Sequence, residues 1–331
     1  MRFHSETTRS RAGISLLEAM IAIGVMAIGL LSLLTLFPLG AIQIGQALKD
    51  DRCSETALQA DAYLRQYWRH AVINAQPVGT VTDTTLRDPD DAGPLHDCFT
   101  QPEASYPLAP ATEPSYPVLI DPIGWHSYLA TMHDHLAGIA APTGIPRRNL
   151  AGISDGNLAV RVCTLPDDLT FERDGQATVI GGNLQRQGKY HWAAVLQRQR
   201  TGLSDRANLK ILVFDGRPPL LNLPGNEFQL SVSTGTVVPG VTSSIEITSL
   251  PTSEIPLLRR GGWIMDGTLI GGIRHANFYR IAAVNSPTPG KYTIDLEKPI
   301  VRTDGGTGTY DATFYLLVGL AEVFDRPPLL P

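Results

Sequence analysis

No charged side chain occurs between Glu18 and Lys49, leaving residues 19–48 without one. The core of that run, Ala19 to Ile42, reads AMIAIGVMAIGLLSLLTLFPLGAI. As a helix it spans roughly 36 Å, enough to cross a bilayer hydrocarbon core of about 30 Å with some tilt. A cleaved secretory signal has a shorter apolar core of about 7–15 residues. The pattern therefore predicts one membrane-spanning helix over residues 14–44. Arg2, Arg9 and Arg11 precede it, and Asp50 and Asp51 follow it. The positive-inside bias then leaves the N-terminus in the cytoplasm and exports the rest of the chain.

A 331-residue chain with 43% hydrophobic and 18% charged residues is too apolar to be disordered and too mixed to be polytopic. Net charge is −5, and residues 1–13 contribute three arginines against Glu6. Without them the chain keeps 24 basic and 31 acidic side chains. Such a balance offers no bulk attraction to phosphate backbones, which argues against nucleic acid as a partner.

Glu18 lies inside the apolar run with no basic side chain near it in sequence. A carboxylate at membrane depth costs about 2–3 kcal/mol unless it is paired or near the interface. One reading is a capping box, since Ser15-Leu16-Leu17-Glu18 fits S-x-x-E and an acid in a first turn complements the helix dipole. The other is functional. The string RAGISLLEAMIAIGVMAIGLL resembles the N-terminus of type IV prepilins and type II secretion pseudopilins, and is closest in look to minor pilins. The resemblance covers about residues 9–75. It implies that residues 1–13 are a basic leader cut after Gly13 by a prepilin peptidase. It further implies that Ile14 becomes a methylated N-terminus, and that Glu18 is the fifth mature residue and serves assembly. Ile14 stands where the family more usually has Phe. The implied partners are other pilins or pseudopilins, the peptidase, an inner-membrane assembly platform and the lipid bilayer. The implied location is the inner membrane, single-pass with the C-terminal body outside, and then a pilus or periplasmic filament.

The helical pattern continues to about Ala75. Pro38 should kink it, because its ring clashes with the Leu34 carbonyl and removes one hydrogen bond. Cys53, Ala57, Ala60, Leu64, Tyr67 and Ala71 recur at steps of three and four and form one apolar stripe. A stripe of this kind needs a cover, and the C-terminal body is expected to supply it. Pro77 and Gly79 end the helix. Residues 76–157 hold 11 of the 25 prolines and read as irregular chain, with one short helix near Trp125–Ala140. From residue 158 to 331 short β-rich runs alternate with turn signals. Leu158–Cys163, Tyr190–Leu196, Leu209–Phe214, Phe228–Ser233, Ser244–Thr248, Phe278–Val284, Tyr292–Leu296 and Thr313–Val318 are the expected strands, with residues 285–290 as a hairpin loop. The expected fold class is α+β: a long kinked N-terminal helix, half anchor and half amphipathic, packed on an antiparallel β-rich body with Pro-rich loops.

The chemical motifs are weak. Gly152-Ile-Ser154-Asp-Gly156 matches a G-x-S-x-G nucleophile elbow, but that motif needs a strand before it and a helix after it. The strand-like Leu158–Cys163 that follows favours an ordinary loop. His133-Asp134-His135, with His126 upstream, offers an H-x-H pair without a third ligand, and reads as a polar turn rather than a metal site. Asp304 and Asp311 flank glycines that could wrap calcium, though a tight hairpin turn fits better. Gly290-Lys291 lacks the rest of a P-loop. No catalytic residue, metal or cofactor is assigned, and the chain is not read as an enzyme. Of the three cysteines, Cys53 belongs to the helical stripe as a packed thiol, while Cys98 in the Pro-rich loop and Cys163 are the candidate disulfide. The expected function is a non-catalytic minor pilin or pseudopilin of a type IV pilus or type II secretion-like filament. The alternative is a single-span, membrane-anchored binding domain or, less favoured, a hydrolase tethered the same way that uses Ser154.

Overall fold

The computed structural model describes residues 16–69, 117–127, 145, 147–150, 153–180, 182–198, 207–217, 227–232, 236–249, 258–270, 273–288, 291–303 and 305–329. Helix α1 runs from Leu16 to Tyr67 and is continuous through Pro38. The chain divides into two compact units, residues 1–52 and 53–331, and α1 contributes to both. Helices α2 (Pro122–Ser127) and α3 (Gly156–Cys163) follow. The main strands are β1 (Pro117–Ile120), β2 (Arg147–Arg148), β3 (Tyr190–Arg198), β4 (Ala207–Asp215), β5 (Glu227–Val232) and β6 (Ser244–Ser249). After them come β7 (Trp263–Asp266), β8 (Asn277–Thr288), β9 (Lys291–Leu296), β10 (Phe314–Leu317) and β11 (Leu320–Leu329).

The second unit contains two β modules. One is a five-stranded sheet in the order β11-β4-β3-β1-β2, antiparallel apart from the β1–β2 edge. The other is a closed antiparallel barrel, β7-β8-β9-β6-β5-β10. Alternation along the strands sends side chains to opposite faces of the sheet. Val118, Ile120, Trp192, Ala194, Leu196, Leu209, Ile211 and Val213 share a core with Cys53, Ala57, Ala60 and Leu64 of α1, Trp68 just past it, and Ala159 and Cys163 of α3. Leu119, Ala193, Val195, Leu212 and Phe214 face the other way, onto Met265, Ala276, Tyr315 and Leu317 of the barrel module. Polar ties cross the second layer as well. Lys210 Nζ donates to the Ala276 carbonyl at 2.8 Å, and Gln197 Nε2 donates to the Arg274 carbonyl at 3.0 Å. The barrel is filled by Leu230, Ile245, Ile247, Ile264, Ile281, Ile294, Phe314 and Leu316.

Several expectations change. Leu158–Cys163 is not a strand but most of α3, so Cys163 sits on a helix. Its valines favour strand by propensity, yet Asp155 in extended backbone accepts the Leu158 amide at 2.9 Å and caps a helix. The 76–157 region, read as irregular, supplies β1, a fully buried inner strand of the sheet. The short helix begins at Pro122, earlier than expected, and of Trp125–Ala140 only Trp125 to Ser127 is described. The 285–290 loop is shorter than expected, because β8 continues to Thr288 and pairs with Lys291. The α1 stripe continues from Leu64 to Trp68, 2% exposed, while Tyr67 is only partly buried. Ala71 lies outside the described residues.

One buried ion pair ties α2 to the sheet. Arg217, just past β4, donates from Nη1 and Nη2 to the two oxygens of Asp121 at 3.0 and 2.7 Å. Both side chains are almost fully buried, and the Gly124 amide also donates to Asp121 Oδ1 at 2.9 Å. Gly124 has to be glycine: a Cβ there would lie 2.0 Å from Asp121 Oδ2 and 2.8 Å from Arg217 Nη2. Breaking a buried pair leaves an uncompensated charge, at about 3–5 kcal/mol. Gly124→Ala should therefore lower stability by about that amount, read as a fall in the urea midpoint of the sheet unit with an unchanged slope.

Candidate functional site

The described part of the first unit is the exposed, apolar start of α1. Leu17, Met20, Ile21, Ile23, Val25, Met26, Ile28, Leu31, Leu34, Leu39, Ile42 and Ile44 of α1 are all exposed. They occupy every helical face, which a water-soluble surface helix does not do. Among the described residues this is the one helix long and apolar enough to cross a membrane. Glu18 is exposed in its first turn. Pro38 is accommodated within the span, and Ser32 Oγ donates to the Ile28 carbonyl at 2.9 Å. Gly13 and Ile14 lie outside the described residues.

In the second unit the same helix becomes part of a globular core. Ala57 and Ala60 are fully buried, and their small side chains let the helix backbone lie close to the sheet. Tyr63 packs on Trp192 with ring centroids 6.0 Å apart, and burial pushes its hydroxyl pKa up. Trp192 Nε1 in turn donates to the Val162 carbonyl of α3 at 3.2 Å. Gln59 Nε2 reaches the Thr164 carbonyl at 3.3 Å, and Arg65 bridges Asp61 at 3.0 Å and the Pro327 carbonyl of β11 at 2.9 Å. Residues 53–68 are thus fixed to α3, β3 and β11 by both packing and hydrogen bonds.

The residues singled out as candidate chemistry fall as follows. Ser154 is exposed and its side chain bonds Asp155, the α3 cap. The helix that an elbow requires does follow, but β2 ends at Arg148, well before Ser154. His126 Nε2 sits 3.1 Å from the Ile153 carbonyl and 3.1 Å from Asn149 Nδ2, contacts that hold the loop. His133, Asp134 and His135 lie outside the described residues, as does Cys98. Cys163 is a fully buried thiol, and burial raises its pKa well above the usual value. Cys53 is buried in the same apolar core. Among the described residues no three His, Cys, Asp or Glu gather as metal ligands. Asp304 lies outside the described residues. The glycines after it enclose Arg302, whose Nη1 donates to the Gly308 carbonyl at 3.0 Å. A Cβ at Gly306 would lie 2.8 Å from its Cζ, so a guanidinium already occupies that loop. The hairpin reading changes too, since Tyr310–Asp311 pairs with Thr236–Val237.

One polar cluster had no signal in the sequence, because its members lie far apart along the chain. Asp266, fully buried at the end of β7, accepts Tyr310 Oη at 2.8 Å and His275 Nδ1 at 3.0 Å on Oδ2. Its Oδ1 accepts the Thr268 amide at 3.0 Å and the Thr268 hydroxyl. Burial, then the Asp266 charge, keeps the Tyr310 hydroxyl protonated far above its ordinary range, so it remains a donor. His275 packs edge-on against the Tyr310 ring at 5.3 Å. The set cross-links one end of the barrel. Tyr310→Phe removes a donor to a buried carboxylate and should cost about 1.5–3 kcal/mol, measured by urea unfolding. No family model, curated protein or solved structure matches this chain, so its own residues carry the functional reading.

Proposed function

We propose that this chain is a minor pilin or pseudopilin, a non-catalytic subunit that joins a type IV pilus or type II secretion-like filament through α1. The observation that carries the reading is the composition of one continuous helix. Its apolar first part is exposed on every face, and its last four turns are a wall of a folded core. An anchor alone needs only the first part. A subunit that hands its membrane helix to neighbouring helices needs the second part as well, so that the body follows the helix. The leader, the Gly13–Ile14 junction and the spacing to Glu18 support the same reading by resemblance. The 256 residues beyond position 75 are bulky for close helix-to-helix packing, which favours a low-copy or tip position.

Glu18 has a defined task in this scheme. Cleavage after Gly13 gives Ile14 a free amine with a reference pKa near 8, mostly protonated at neutral pH. That cation sits at the positive end of a helix dipole, an unfavourable place away from water. The Glu18 carboxylate, on the same chain or a neighbour, offsets it and sets the axial register.

Two measurements test the proposal. Intact mass of membrane-extracted protein should give a chain beginning at Ile14, with or without an added methyl. A chain beginning at Met1 or near Gln43 overturns it. Glu18→Gln should leave insertion and cleavage intact and abolish co-purification with the assembled machine. If Glu18 only caps the helix, the same change costs under about 1 kcal/mol and incorporation is normal.

A further inference from the structure

His191 near the start of β3 is 3% exposed, and neither ring nitrogen meets hydrogen-bond geometry with any group among the described residues. Its ring stacks on Phe214 of β4, with centroids 5.3 Å apart and planes 10° from parallel. The Arg217 guanidinium lies 4.6 Å from the same Phe214 ring. Phe214 belongs to the apolar layer between sheet and barrel, where β7 presents Met265 and β10 presents Tyr315 and Leu317. The charged groups acting on the imidazole are Arg217, after β4, and Asp121, after β1. Asp121 has both oxygens engaged by Arg217 and one also by the Gly124 amide. It has little left to offer a second buried cation.

We propose that His191 is an acid-released latch: a proton on its ring parts the sheet from the barrel beside Phe214 and loosens the Asp121–Arg217 clamp. The closed form requires a neutral ring, since protonation would place a desolvated cation next to Arg217 with no group among the described residues in hydrogen-bond geometry to its N–H groups. Burial, and then Arg217, hold the ring's pKa down to about 4. Asp121 pulls the other way, as does the Gly188 backbone, which approaches the ring without meeting bonding geometry. In an opened form the ring regains its ordinary value near 6.5. The opened form then binds the proton more tightly at every pH between those two values. The closed form is therefore at full strength above about pH 6.5 and weakens as pH falls toward 4. From pH 7.5 to 5 the open-to-closed ratio should rise about 30-fold.

The test is hydrogen exchange of the β3 and β4 amides in the full chain in detergent micelles. Opening constants at pH 7.5 and 5 are compared after correction for intrinsic exchange. The proposal expects about a 30-fold rise in the native chain and less than a threefold rise in His191→Phe, which keeps the aromatic stack. His126 and His275 are present in both chains, so the comparison isolates His191. An unchanged ratio in the native chain, or an equal rise in both, overturns it. Should His191→Phe not fold, NMR titration of the native His191 ring decides: a folded-state midpoint near 4 supports the latch and one near 6.5 overturns it.

Discussion

From His191 to Gln197 every residue of β3 is buried, and so are Ile211 to Phe214 on β4. Most antiparallel sheets keep one face in water, and their strands alternate apolar with polar residues. Here both faces of the two central strands must be covered, which sets the rest of the second unit. The stripe of α1 and α3 covers one face. Barrel residues cover the other. Stripping Cys53–Trp68 from its seat would leave Trp192, Ile211 and Val213 facing solvent, so that stretch is part of the fold.

Several buried polar groups find partners at close range, and these tie the seams. Asp121 and Arg217 fasten the start of α2 to the end of β4. Asp266 gathers Thr268, His275 and Tyr310 where the barrel closes. Lys210 crosses from sheet to barrel, its pKa lowered by burial against the raising effect of Asp325. A hydrophobic pair of similar shape often matches or exceeds a buried ion pair in stability. What the charged sets add is orientation, since a bidentate guanidinium or a carboxylate with several donors accepts few geometries.

How much of this was legible before the fold was known follows from which forces act locally. The alternating or unbroken apolar runs of β3 to β6, β8, β9 and β10 were readable, because strand periodicity is written in consecutive residues. The α1 stripe was readable as far as Leu64 for the same reason. β11 is not among the expected strands, and its Pro327 and Pro328 argue against one by pattern. As an edge strand with a register shift after Arg326, it tolerates both. β1 was hidden by the prolines around it. Val160 and Val162 make α3 read as a strand, whereas its helix rests on the Asp155 cap. Nothing in the order of residues joins Asp121 to Arg217 or Asp266 to Tyr310, as those pairs exist only once distant segments meet. Of the candidate site, Glu18 and the apolar run were visible at once, while the role of His191 depends wholly on its surroundings.

The strand order has a consequence for biogenesis. β11 pairs with β4 along its length, yet the whole barrel lies between them in sequence. A chain emerging N-terminus first can join β3 to β4 early but must hold the outer edge of β4 open until residue 329 has appeared. Such an edge is a template for pairing with any other extended chain, and closure over so long a separation is slow. Newly made copies therefore pass through an interval in which they are prone to cross-pair, and a protein that shields that edge would raise the yield of correctly closed chains.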